Sequence, residues 1–340
     1  MTNMISPVPP GVAAGPEWLA QALDPGSDLV RLIRMDAAAY RAASFLDDRI
    51  VQQPVESLLC RWGDVAAVAV AIPHHDARWI FHIGHVGSTL VSRLLGELEG
   101  VLAIREPRIL RDLAEVSPDD LPAVTDAVTR LLSRGFAPGE RVVVKATSFV
   151  SEFAPALCPT GSRALFLFAT PRAYIRGILA GENSRKELGV LGPIRQARMA
   201  QRVARMPDAE RSDAHRAAAA WACEMTSLEQ AADAMPGRAI AWADFDRMLA
   251  DMPAALTEAA HALDLPAEPQ ALAAIARGPL MGRYSKALEY DYSPALRRDL
   301  LDEAGREHRA AIEDGMAMLH KAAAISPLLA RALARADPED

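Results

Sequence analysis

Gly84-His85-Val86-Gly87-Ser88-Thr89 is the stretch of this chain best suited to hold an anion. The apolar run from Trp79 to Ile83 leads into it, and an amphipathic pattern starting at Ser88 leads out. A strand that turns through glycines into a helix leaves backbone N–H groups unpaired at the helix start, where the helix dipole adds partial positive charge. Gly87 allows close approach of the main chain to a phosphate, and Ser88 and Thr89 add hydroxyl donors. The expectation is a site for the 5′-phosphate end of a nucleotide, to which Gly84, His85 and Val86 also belong. The loop departs from the G-x-x-x-x-G-K-[ST] pattern of ATPases, because no lysine stands between Gly87 and Ser88.

Two further residues are candidates for chemistry. Glu106 follows the short apolar run Val101–Ile104, which places it at the carboxyl edge of a sheet, where open α/β folds bind ligands. It can accept a proton there, or pair with Arg105 or Arg108. Lys145 ends the run Arg141–Val144 at the same edge. A lysine there either meets an anionic partner or reaches past the strand end to water. His74, His75, His82 and His85 invite a metal reading, but the spacing of His82 and His85 suits a helix better than a strand-to-loop junction, and no acidic cluster completes a set. Asp244, after the last strand, suits a helix cap.

These residues need a scaffold of buried strands. In 340 residues, 51% hydrophobic but only 5% aromatic, alanine and leucine dominate, which favours helices around a small sheet. Strands are expected at 66–72, 78–83, 101–104, 141–145, 163–168 and 239–242. Short helices are expected near 16–23, 36–45 and 50–60, and longer ones from Ser88 to near Gly100, from about Arg108, over 122–135, through 171–233, around 251–263 and from Ser293 onward. Strands alternating with helices predict a mostly parallel sheet covered on both faces, with a helix-rich second half. The expected division is an N-terminal arm with short helices packing on the core (1–75), the α/β domain (76–325) and a C-terminal tail (326–340). A net charge of −7 argues against a nucleic-acid partner. Cys60, Cys158 and Cys223 lack C-x-x-C spacing, and with no signal peptide or ~20-residue apolar run the expected place is the cytoplasm.

The series G-H-V-G-S-T-L-V-S-R-L-L, R-E-P-R-I-L, V-V-V-K-A-T and A-T-P-R-A-Y-I-R, over roughly residues 78–180, resembles the sulfotransferase superfamily. The resemblance implies a P-loop-like three-layer α/β/α sandwich that binds PAPS (3′-phosphoadenosine 5′-phosphosulfate) at the first loop and needs no metal. It implies that Gly87, Ser88 and Thr89 grip the phosphosulfate, that Lys145 stabilises the bridging oxygen, and that Glu106 serves as base. His85 stands where the family has lysine or arginine, and Thr147 where a histidine base is usual. The positions that hold the 3′-phosphate in the family are Ala169 and Gly177 here, neither of which has a side chain able to do so. Arg172 and Arg176, one helical turn apart, are candidates to replace that grip, or they lie on a solvated helix face. Arg283 and Lys286 could close over the same phosphate from the late chain, and Tyr284 could stack on adenine.

The implied activity is sulfuryl transfer from PAPS to a small hydroxyl- or amine-bearing acceptor. The acceptor pocket is expected to come from residues 1–75 and 180–235. Two other readings remain open: an ATP-dependent phosphotransferase, and a non-catalytic scaffold that binds a nucleotide or a protein. The alanine-rich helices could also support a homodimer.

Overall fold

The computed structural model describes residues 5–203, 206 and 208–336. Residues 1–4 of the expected arm, residues 204, 205 and 207 of the expected helical stretch, and residues 337–340 of the expected tail lie outside the described residues. Three strands form an antiparallel sheet near the N-terminus: β1 (Trp18–Asp24), β2 (Leu29–Arg34) and β3 (Ser57–Arg61), in that order. Five strands form the main sheet: β4 (Arg78–His82), β5 (Val101–Arg105), β6 (Arg141–Lys145), β7 (Arg163–Phe168) and β8 (Ala239–Asp244). Their order is β5-β6-β4-β7-β8, and every neighbouring pair is parallel.

The main sheet has the sequence signature of full burial. β4 and β5 are buried at all five of their residues, and β6 and β7 at all but the first, as two-sided coverage demands. The helices Ser88–Leu95 and Met252–Ala262 pack on one face, and Asp213–Asp233 packs on the other. The result is a three-layer α/β/α sandwich. Phe81, Phe166 and Trp242 fall in one register row across three strands, and their rings meet edge to face at 5.7 and 5.0 Å.

Several local expectations give way to tertiary context. Residues 16–23 and 50–60 were expected to be helical, but they contain β1 and β3, with one 3-10 turn at Ile50–Gln52. Their alanines, leucines and glutamines favour helix only weakly, and pairing with β2 overrides that preference. Residues 66–72 were expected to form a strand, but most of them lie in or just beyond the helix Trp62–Ala69. Their alternation is between alanine and valine rather than apolar and polar, so it carries no information about faces. The helix buries Val65 and Ala69, one turn apart, and leaves Val70 exposed. The helix from Ser88 stops at Leu95 instead of near Gly100, and a Cβ on Gly96 would come within 2.8 Å of Ala103 Cβ on β5. Asp244 does cap a helix, accepting the N–H groups of Asp246 and Arg247 at 2.7 and 3.1 Å.

Candidate active site

β4 is the middle strand of the main sheet, and the glycine loop leaves its carboxyl end. Gly84, His85 and Gly87 all have positive φ, at 81°, 54° and 61°. Turns of this kind leave backbone amides without partners in the chain and available to an anion. Gly87 is the N-cap of the helix Ser88–Leu95, so the unpaired amides of the first helical turn begin at that point. A side chain at Gly87 would run into the ring of Phe245, which packs against the loop from just beyond β8. Glycine is therefore required there on two counts, its φ and the space.

His82 supports the loop from beneath, a role that sequence reasoning missed. Its Nδ1 accepts the Gly84 N–H at 3.0 Å, and its Nε2 donates to Ala146 O at 2.9 Å. Burial, reinforced by the Lys145 charge, pushes its pKa well below the usual histidine value, so the ring is neutral. With both ring nitrogens engaged by main chain, His82 is not free to bind a metal with His85. Nothing in its sequence context separates it from an ordinary core residue.

Register brings Glu106 to Lys145. Arg105 on β5 pairs with Lys145 on β6, and the Glu106 N–H donates to Lys145 O at 2.8 Å. Glu106 is itself in the left-handed region, at φ 51°, where a non-glycine residue is strained. Its carboxylate forms a close ion pair with the Lys145 ammonium, which is only 1% exposed. Burial lowers the Lys145 pKa, and the Glu106 charge opposes that shift. Arg111 approaches the other carboxylate oxygen at 3.8 Å, and His82 Nε2 lies 3.9 Å from the first. The alternative partners of Glu106 are engaged elsewhere: Arg105 binds carbonyls of Tyr40, Arg41 and Ala43, and Arg108 binds Asp112 and Asp48.

Gly84 through Thr89, Glu106, Lys145, Thr147 and Lys286 line a single cavity of about 940 Å³. His85 sits at its edge, with Nε2 3.5 Å from Glu187 and Nδ1 3.4 Å from Ser184 Oγ. Burial alone would raise the Glu187 pKa, but the bond and charge of His85, with Arg195 and Lys286, hold it down at about 2. The remainder of the wall includes Phe45, Asp47 and Arg49 before β3 and Val190, Leu191, Ile194 and Arg198 on the helix Glu182–Met199. These fall within the two segments expected to build an acceptor pocket, although no motif marks them.

Four residues expected at the nucleotide site lie outside the loop cavity. Arg172 and Arg176 line a separate cavity of about 550 Å³ with Arg306 and Arg309, and Arg172 pairs with Glu313. The reason is helical phase. Tyr174 turns toward His85, with ring centroids 6.3 Å apart, and residues two positions either side must face the other way. Arg283 pairs with Asp291 at 2.8 Å on the surface, outside the loop cavity. Its neighbour Ser285 is tied to the loop helix by its carbonyl, which accepts from Arg93 Nε at 2.9 Å. Tyr284 lies 5.9 Å from Tyr292, ring to ring, and does not line the cavity.

No model of a known protein family matches this chain, and no curated protein sequence matches it. Among solved structures it is similar to the sulfotransferase domain from the curacin biosynthetic pathway. Identity is 15% and the TM-score 0.43, over 67% of this chain and 89% of that domain. The strand order, with a glycine loop leaving the central strand, gives the architecture from within the chain itself. The fold is an α/β/α sandwich on a parallel five-stranded sheet. Among the described residues, no helix is long and apolar enough to cross a membrane.

Proposed function

We propose that this chain transfers a sulfuryl group from PAPS to a small acceptor carrying a hydroxyl or amine. The observation that supports it is the shared cavity. An anion-receptive loop and a buried Lys145–Glu106 pair meet at one edge of the sheet. Sulfuryl transfer, like phosphoryl transfer, moves a loosely bonded group in line between two nucleophiles, so positioning and charge stabilisation dominate.

In this reading the amides from His85 to Thr89 and the Ser88 and Thr89 hydroxyls hold the phosphosulfate, with Lys286 adding charge from the late chain. The acceptor oxygen or nitrogen attacks sulfur. A new bond to sulfur forms, the bond from sulfur to the bridging oxygen breaks, and its electron pair stays on the departing phosphate. The acceptor proton passes to the Glu106 carboxylate. Lys145 pairs with Glu106 and lowers the cost of negative charge on the leaving oxygen. The family's 3′-phosphate positions supply no grip: Ala169 is buried, its carbonyl bonded by Trp221 Nε1, and Gly177 packs near Leu301. Cys60, Cys158 and Cys223 are free thiols, which suits a reducing cytoplasm.

Isothermal titration with PAPS, with its desulfated product PAP, and with ATP plus magnesium tests this directly. Heat with PAPS and PAP supports the reading, and heat only with ATP and magnesium replaces it with phosphotransfer. Glu106→Gln should cut turnover by about 10²–10⁴-fold while leaving PAP affinity nearly unchanged, as expected for loss of a general base.

A further inference from the structure

The helix Glu182–Met199 carries apolar residues on two faces. It buries Leu188, Arg195 and Met199 against the body of the protein and leaves Val190 and Ile194 at 74% and 53% exposure. A helix on a globular protein normally keeps its apolar stripe inward and its outer face polar. Here a second apolar stripe faces the cavity. Glu187, Val190, Leu191, Ile194 and Arg198 recur at i, i+3, i+4, i+7 and i+11, which is one helical face, and all five line the same cavity as the glycine loop.

The charges at both ends of that stripe are already matched. Glu187 pairs with His85 at 3.5 Å, and Arg198 pairs with Glu152 and Glu224 at 3.1 and 3.3 Å. Between them lie only Val190, Leu191 and Ile194, with Phe149 also in the wall. Nearer Glu106, Arg49 is held by Asp47 at 2.5 Å. Among the described residues lining the cavity, Lys286 is the lysine that forms no ion pair, and it belongs with the anion at the loop. A charged acceptor lying along the stripe would lose its hydration without gaining a counter-charge. An apolar one would cover side chains that water now wets.

We propose that the acceptor is a neutral alcohol or phenol with an apolar body. Its hydroxyl lies at Glu106 and its body along Val190, Leu191, Ile194 and Phe149. The identification as an acceptor rests on the sulfuryl-transfer reading, whereas the binding preference rests on the cavity alone.

Titration of the full chain with 2-naphthol, with glucose and with the charged amine tyramine, in the absence of nucleotide, separates the two. 2-Naphthol should bind at least tenfold more tightly than either of the others. Ile194→Glu should weaken 2-naphthol at least tenfold and leave PAP affinity within about twofold, and Val190→Glu, at a still more exposed position, serves if the first variant melts early. Equal binding of glucose or tyramine, or no effect of either substitution, overturns the proposal. Preference for 2-naphthol without any PAP binding overturns sulfuryl transfer and leaves the apolar pocket standing, while PAP binding without that preference does the reverse.

Discussion

His82 joins the loop to the sheet by remaining neutral, because a protonated ring could no longer accept the Gly84 N–H at Nδ1. The consequence for stability follows from proton linkage. In the unfolded chain the ring titrates near 6.5, whereas in the folded protein its pKa is far lower. Between those values the unfolded state binds a proton that the folded state refuses, so stability is complete above 6.5 and falls as the pH drops. The full slope is about 1.4 kcal/mol per pH unit. Glu187 loses its own contribution only lower, between its ordinary value of 4.5 and about 2. Urea unfolding at pH 7.5 and 5.5 should therefore show wild type losing about 1 kcal/mol more than His82→Asn over this interval. Equal losses would mean that His82 carries a charge in the folded protein.

At the scale of elements, the helix Glu182–Met199 has a sequence poorly suited to being one. Gly189, Gly192 and Pro193 lie within it, and the proline removes a backbone donor from the middle turns. A Cβ on Gly189 would stand in open space, so Gly189→Ala should stabilise the protein by about 0.5–1 kcal/mol through helix propensity alone. A rise in the urea midpoint without change in slope is the readout. The strands of the main sheet were legible because continuous apolar runs bounded by turns have few other uses. β1 and β3 were not, because Ala20, Gln21 and Ala22, or Leu58 and Leu59, suit a helix as well as a strand. Only their partners on β2 decide between them.

Across the whole molecule, buried arginines tie the N-terminal segment to the α/β body. Arg134 is 2% exposed and donates to carbonyls of Val12, Gly15, Trp18 and Leu131, the last three at 2.8, 3.0 and 2.7 Å. Asp112 accepts the Leu23 N–H of β1 at 2.8 Å, and Arg105 holds carbonyls of residues 40, 41 and 43 next to Phe45. The apolar core runs without a break from β1 and β2 into the main sheet. Arg134→Met would strand several buried carbonyls at once and should cost about 3 kcal/mol or more. Urea unfolding should remain a single transition. Separate loss of the N-terminal sheet would show that residues 1–75 fold as their own unit.

The amino-acid sequence by itself determined the glycine loop, the strand before it and the helix after it. A turn that needs positive φ, followed by a helix start, is encoded by neighbours in the chain. It also placed Glu106 and Lys145 at strand ends, without pairing them. Their contact, the turning away of Arg172 and Arg176, the bracing of the loop by His82 and the apolar wall at Val190 and Ile194 were decided by tertiary structure. Periodicity says which residues share a face, whereas strand register and helix packing say what that face meets.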